Sequence, residues 1–246
     1  MKFIRRVNVV RLVFLVLIFL GLGALVLERR MSNREQHTHF SVQDRLRQYE
    51  PTAGVRVKDF FDKAGVPFPP ARVTFVGLKT ERKLQVYASG GEGALRFVHE
   101  YPIQAASGQI EPKLQEGDNQ VPEGIYKINS LNPNSLYHLA LRVGYPNDWD
   151  QEHARTDGRK KLGGDIMIHG GAGSCGCLAM GDPVAEDLFV LAARTGVENV
   201  RIVLCPVDFR LRDIPSPSPH VPAWTGQLYN NLKSELAQLP EPKDLE

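Results

Sequence analysis

The sequence predicts a mainly β domain with flanking helices, an α+β class, on three observations. From Arg72 onward apolar residues alternate with polar ones at a period near two, in runs separated by Gly, Asn, Pro and Asp. Helical spacing is confined to the stretches on either side of those runs and to one insertion ahead of the last of them. With 246 residues and 42% hydrophobic side chains, the chain holds enough apolar material for one sizeable core.

The first element is "MKFIRRVNVVRLVFLVLIFLGLGALVLERR", whose basic start and uninterrupted apolar run over residues 12–27 mark a targeting or membrane segment. At about 1.5 Å per residue that run is short for a hydrocarbon layer of roughly 30 Å; residues 7–10 lengthen it if the Arg11 stem reaches back to the headgroups. No small-x-small cleavage pattern precedes Glu28, which favours an uncleaved membrane anchor, with a cleaved signal and a secreted body as the alternative. Lys2, Arg5, Arg6 and Arg11 before the span, against Arg29, Arg30 and Arg34 after it, point the body outward. The segment also carries the positive charge: the net +2 of the chain becomes −3 once residues 1–30 are set aside, which excludes a basic body that binds nucleic acid.

Residues 31–40 read as a polar linker, followed by two short helices in "SVQDRLRQY" and "VRVKDFFDKAG". Ser41 with Asp44 forms a capping pair for the first, and Gly65 closes the second. "GVPFPPA" then breaks the pattern and marks a domain boundary near residue 70. Strands follow in "VTFVGLK", "KLQVYAS", "LRFVHEYPI", "GIYKINS", "YHLALRVGY", "DIMIHG" and "VRIVLCPV". One helix precedes the last strand, with Asp182 as its cap, Pro183 at its first position, Val184, Leu188, Leu191 and Ala192 on one face, and Gly196 at its end. Residues 214–222 are rich in Pro and Ser and read as extended. A last helix carries Trp224, Leu228, Leu232 and Leu236 on one stripe, a face for packing back on the domain or for meeting a partner.

The chemistry concentrates in "IMIHGGAGSCGCLAM". A cysteine acts as a nucleophile when a base takes its proton, and histidine suits that task near neutral pH. His169 and Cys177 form the obvious pair, provided that His169 ends a strand and the glycines fold the chain back. Those glycines also leave N–H groups unshielded for a developing oxyanion. Cys175 and Cys177 with His169 suggest a zinc site less well, because a fourth ligand is missing and the cysteine spacing is too tight. Cys205 sits in an apolar strand and reads as core, although Cys175 or Cys205 is open to a disulfide in an oxidising compartment.

The stretch His169-Gly170, then Ser174-Cys175-Gly176-Cys177, resembles the L,D-transpeptidase catalytic domain of YkuD type. Further matches, "YPIQAASGQIEPKLQEGDNQVPEGIYKI", "LNPNSLYHLAL" and "YPNDWDQEHARTDG", follow the order of its YafK-like branch over roughly residues 71–211. The resemblance implies a β-sandwich or barrel-like catalytic domain at 71–211, after an anchor at 1–30 and a linker with short helices at 31–70. A Pro/Ser-rich linker and C-terminal helix fill 212–246. It implies Cys177 as nucleophile, His169 as general base, and Ser174 and Gly176 as supporting loop and oxyanion region. Cys175 falls at a variable loop position. This chain has Leu178-Ala179-Met180 where the wider family tends to carry an arginine. Recognition of a substrate carboxylate then falls to Arg155 or Lys113, with His138, and less so His153, as further binding candidates.

The function implied is a peptidoglycan L,D-transpeptidase that holds stem peptides as a Cys177 thioester, without cofactor or metal. It would crosslink wall or attach a wall protein, a lipoprotein among the candidates, from the periplasmic side of the inner membrane. Water in place of an amine would make it an amidase that releases such attachments. A reading of another class is a catalytically silent wall-binding module.

Overall fold

The computed structural model describes residues 39–213 and 221–242. The anchor and the first part of the linker, the extended stretch that begins at Ile214, and the last four residues lie outside the described residues. Among the described residues, no helix is long and apolar enough to cross a membrane.

The body forms one compact unit, Phe40–Glu246. It opens with helix α1, Val42–Tyr49, capped as its sequence demands: the Asp44 N–H donates to Ser41 Oγ at 3.1 Å, and the Ser41 N–H donates to Asp44 Oδ2 at 2.8 Å. A wide π turn, Glu50–Gly54, runs straight into α2, Val55–Ala64. Gly65 ends α2 at φ 64°, a left-handed conformation that glycine adopts without a Cβ clash. Apolar residues at the spacing of one face, Val57, Phe61 and Ala64, enter the same core as the strands that follow. The Pro-rich stretch near residue 70 is therefore a turn inside one core rather than a domain boundary.

The sheet has nine strands in the order β3-β2-β1-β9-β5-β6-β7-β8-β4. These are β1 Arg72–Leu78, β2 Lys83–Ser89, β3 Arg96–Pro102, β4 Ala105–Ala106, β5 Gly124–Ser135, β6 His138–Val143, β7 Met167–His169, β8 Leu178–Ala179 and β9 Val200–Cys205. All seven stretches that alternate in the sequence are strands; β4 and β8, two residues each, are too short to show a period. The first half of β5 pairs with β9 and the second half with β6, across two irregularities in register. Such bulges bend a strand. The mainly β fold expected from sequence is thus a single bent sheet, a half-barrel with helices against it.

Two helices cover the two faces. Helix α4, Asp182–Thr195, adds Leu188, Phe189, Leu191 and Ala192 to the larger core. Helix α5, Thr225–Leu236, adds Leu228, Tyr229, Leu232 and Leu236 to a second core on the opposite face, so the last helix packs back on its own domain. Between them, β1 and β9 run parallel, Val73 opposite Val200 through Leu78 opposite Cys205. Phe75, Ile202 and Leu204 enter the first core; Val76, Val203 and Cys205 enter the second. Burial on both faces explains why these strands read as nearly unbroken apolar runs. The remaining helix, α3, Asp148–Thr156, meets the start of α5 where the His153 and Trp224 rings stack at 4.8 Å.

Leu232 is fully buried beneath α5. Leu232→Ala is expected to lower unfolding stability by about 2–5 kcal/mol, read from denaturant titration, because the sheet beneath it cannot collapse into the vacated volume.

Candidate active site

Strand β7 is the hub of the site. On one side it pairs antiparallel with β6, Ala140 opposite His169 and Arg142 opposite Met167; on the other it pairs parallel with β8, Ile168 opposite Leu178 and His169 opposite Ala179. Ile168 and Leu178 both point into the larger core. His169 follows Ile168 at the end of β7, and Cys177 immediately precedes β8, so the two stand at opposite ends of this short parallel pairing.

The connection over residues 170–177 is pinned at both ends. A Cβ on Gly170 would lie 2.5 Å from Asp182 Oδ1 and 2.8 Å from the Tyr137 carbonyl, so only glycine fits there. The Gly171 N–H donates to Asp182 Oδ1 at 2.8 Å, and the Met180 N–H donates to the His169 carbonyl at 2.8 Å. Asp182 is thus the first residue of α4 rather than its cap, a place that Gly181 takes, and its carboxylate secures the loop instead. At the far end, Ser174 Oγ donates to the Cys177 carbonyl at 2.7 Å and accepts from the Ser107 N–H at 3.1 Å. The Gly176 N–H donates to Ser107 Oγ at 2.6 Å. Ser174 therefore braces the loop. Gly176 does so too, its N–H engaged by Ser107 Oγ. The Cys177 N–H has no hydrogen-bond partner among the described residues.

His169 is 3% exposed, and its Nδ1 lies 2.6 Å from the Gly170 carbonyl. A carbonyl only accepts, so Nδ1 carries a proton and donates it there, which leaves Nε2 as the ring nitrogen not engaged by this bond. The Tyr137 ring lies over the imidazole, centroids 4.8 Å apart and tilted 32°. Cys177 is half-buried, and its Sγ donates to the Asp165 carbonyl at 3.6 Å rather than to His169. Burial pushes the Cys177 thiol above its ordinary value; a hydrogen bond from the Met167 N–H and the Lys113 charge oppose that shift, while Cys175 and the Asp165 carboxylate add to it. Burial thus favours the neutral thiol at Cys177.

A polar cleft of about 530 Å³ has Lys113, Asn129, Arg142, Tyr145, Asp165 and Cys175 in its wall, and meets Cys177 through Asp165, whose carbonyl takes the Cys177 Sγ hydrogen bond; neither Cys177 nor His169 lines it. Lys113 is buried there and donates to Asp118 Oδ1 at 2.6 Å. Arg142 reaches the cleft from β6 and pairs with Asp165.

The other residues singled out in the sequence lie elsewhere. Arg155 stands exposed on α3, pairs with Glu152 and does not line the cleft. His138 Nε2 lies 2.9 Å from Glu186 Oε1 on α4, so it anchors the β5–β6 hairpin that carries Tyr137. His153 belongs to the α3–α5 joint, and Cys205 is fully buried in β9. Sequence reasoning missed Ser107, Tyr137, Arg142 and Asp165. Arg142 could have been found, since alternation in "YHLALRVGY" puts it on the face opposite Leu141; Ser107 has no local signal at all.

Comparison with known proteins agrees with this geometry at the level of the family. The model of the L,D-transpeptidase catalytic domain, YkuD, matches residues 72–202. The chain is 34% identical over 140 residues to the Escherichia coli K12 protein named "Putative L,D-transpeptidase YafK", an alignment covering 55% of this chain and 53% of that protein. The O157:H7 homologue gives the same values. The chain thus spans about half the length of the curated relatives it matches. Among solved structures, the helical cell shape determining protein Pgp2 from Campylobacter jejuni aligns with a TM-score of 0.45 at 20% identity, over 78% of this chain and 79% of that one. Bd1075 from Bdellovibrio bacteriovorus aligns with a TM-score of 0.41 at 21% identity, over 69% and 55%. With a family match that spans more than half of its length, this chain belongs to the L,D-transpeptidase catalytic domain (YkuD) family.

Proposed function

We propose that the protein is a cysteine acyltransferase acting on peptidoglycan stem peptides, with Cys177 as nucleophile and His169 as general base. What supports the reading is the short β7–β8 pairing, with Cys177 at the entry to β8 and, at the end of β7, a histidine whose Nδ1 is committed to the Gly170 carbonyl. Because burial disfavours the thiolate, attack and proton transfer go together. As Sγ bonds to the carbonyl carbon at the L-centre of the diamino acid, His169 Nε2 takes the thiol proton. It then delivers that proton to the departing amine, and a thioester remains. The Cys177 N–H is the backbone group open to the developing oxyanion. An amine that resolves the thioester makes a crosslink or attaches a wall protein; water releases the acyl group.

In the same proposal, the cleft takes the polar part of the stem peptide, with Arg142 and Lys113 on its carboxylates in place of the exposed Arg155. The N-terminal apolar segment anchors the body on the periplasmic side of the inner membrane.

The reading is tested by intact mass of the full-length protein in detergent after exposure to a tetrapeptide wall fragment. An acyl adduct is expected on wild type and on Cys175→Ala but not on Cys177→Ala, and His169→Gln should slow its formation by roughly 10²–10⁴-fold. An adduct that survives in Cys177→Ala would overturn the assignment; binding without adduct or product in wild type would make the protein a wall-binding module.

Arg142→Ala should raise KM for the same fragment by roughly tenfold or more with kcat little changed, the loss expected for charge-assisted hydrogen bonds worth about 1.5–3 kcal/mol.

Alkylation of Cys177 by iodoacetamide followed against pH should give a midpoint above the ordinary thiol value of about 8.5. Asp165→Asn removes a carboxylate that disfavours the thiolate, so its midpoint should move down toward that value.

A further inference from the structure

Cys175 and Cys177 flank a single glycine, and the chemistry above needs only one of them. Two residues span at most about 7 Å between Cα atoms even when fully extended. Here the chain bends at residues 175–177, with Gly176 at φ 92°. A disulfide takes Cα separations of about 4.4–6.8 Å, so the backbone at these residues sits close to what such a bond requires. Both side chains lie about Asp165: Cys175 lines the cleft together with it, and Cys177 Sγ donates to its carbonyl. Cys175 is exposed, whereas Cys205, the third thiol, is fully buried in β9 and out of reach. The arc that joins the pair is also held from outside it, through Ser174 on the Cys177 carbonyl and Ser107 on the Gly176 N–H.

We propose that Cys175 is a resolving thiol for Cys177, and that hydroperoxides drive the pair into an intrachain disulfide that protects the nucleophile from irreversible oxidation. One cysteine, as thiolate, attacks a peroxide oxygen; the O–O bond breaks, the departing oxygen takes a proton, and a sulfenic acid remains on sulfur. The second cysteine attacks that sulfur, the S–O bond breaks, and water leaves as the S–S bond forms. Two thiols are oxidised, and one hydroperoxide is reduced to two molecules of water, or to an alcohol and water. The disulfide removes the attacking electron pair of Cys177 but returns it on exchange with a dithiol. Without Cys175, the sulfenic acid proceeds to a sulfinic acid that thiols do not reverse. The inference builds on the proposed role of Cys177, but it is read from the state of the sulfurs and not from wall chemistry, so the two can fail separately.

The test uses the full-length protein in detergent, treated with hydrogen peroxide, freed of excess, and divided before and after dithiothreitol. Iodoacetamide labelling, intact mass and mass mapping of the segment over residues 175–177 are then read. Wild type should lose the mass of two hydrogens, lose labelling at Cys177, and recover that labelling after dithiothreitol. Cys175→Ser, a change at an exposed position, should instead gain oxygen on Cys177 and recover none of it. Oxygen gain on Cys177 in wild type at the rate seen in Cys175→Ser would overturn the proposal, as would a disulfide formed only between two chains.

Discussion

The geometry of the site depends on the connection that leaves β7 at His169 and returns in parallel at Leu178. Parallel neighbours ordinarily need a dozen or more residues of crossover, often a helix, to come back in the same direction. Here residues 170–177 suffice because the ladder is only two residues long and the turn contains positions that no side chain could occupy. Such a loop cannot hold its shape through its own hydrogen bonds. Asp182 from the helix beyond it and Ser107 from the strand region before it supply the missing partners. The site is thus assembled from three separated segments of chain, and the fold is what brings them together.

The electrostatics follow from the same confinement. A thiolate and an imidazolium buried side by side would each lose hydration, and their attraction would have to offset both losses. Burial instead favours the protonated sulfur, and in the mechanism proposed above charge separation waits until a carbonyl carbon is present to receive the attack. Tyr137 over His169 and the Gly170 carbonyl at Nδ1 restrict the ring to one tautomer and nearly one plane. The cations are kept in the cleft rather than against the sulfur, Lys113 tied to Asp118 and Arg142 to Asp165. They can then meet an incoming anion without committing the thiol beforehand.

The long alternating strands and the amphipathic helices could be read from the residues, because periodicity is a local property. Ser41 with Asp44 and Gly65 were equally plain, since a cap is written within four residues. His169 and Cys177 stood out by type and spacing, but whether they could meet was not local information. It rests on β8, which at two residues has no period to detect. The same limit applies to Ser107, a serine in a turn until the sheet sets it against the Gly176 N–H. Asp182 followed the rule for a helix cap, yet tertiary demand for its carboxylate took it into the loop. Arg155 was attractive for its charge alone, and charge does not tell that α3 carries it outside the lining of the cleft.

Strand β1 lies between β2, which follows it directly in sequence, and β9, at Val200–Cys205, which comes near the end of the domain. For a chain emerging from the ribosome, this means that the early hairpin of β1 and β2 waits with an open, strongly apolar edge until almost all of the remaining domain has been made. Contacts so distant along the chain close slowly, and exposed strand edges recruit other chains. A product cut short between Leu178 and Asn199 would contain both His169 and Cys177, yet it would lack the strand that joins the two halves of the sheet, with β1 on one side of it and β5 on the other.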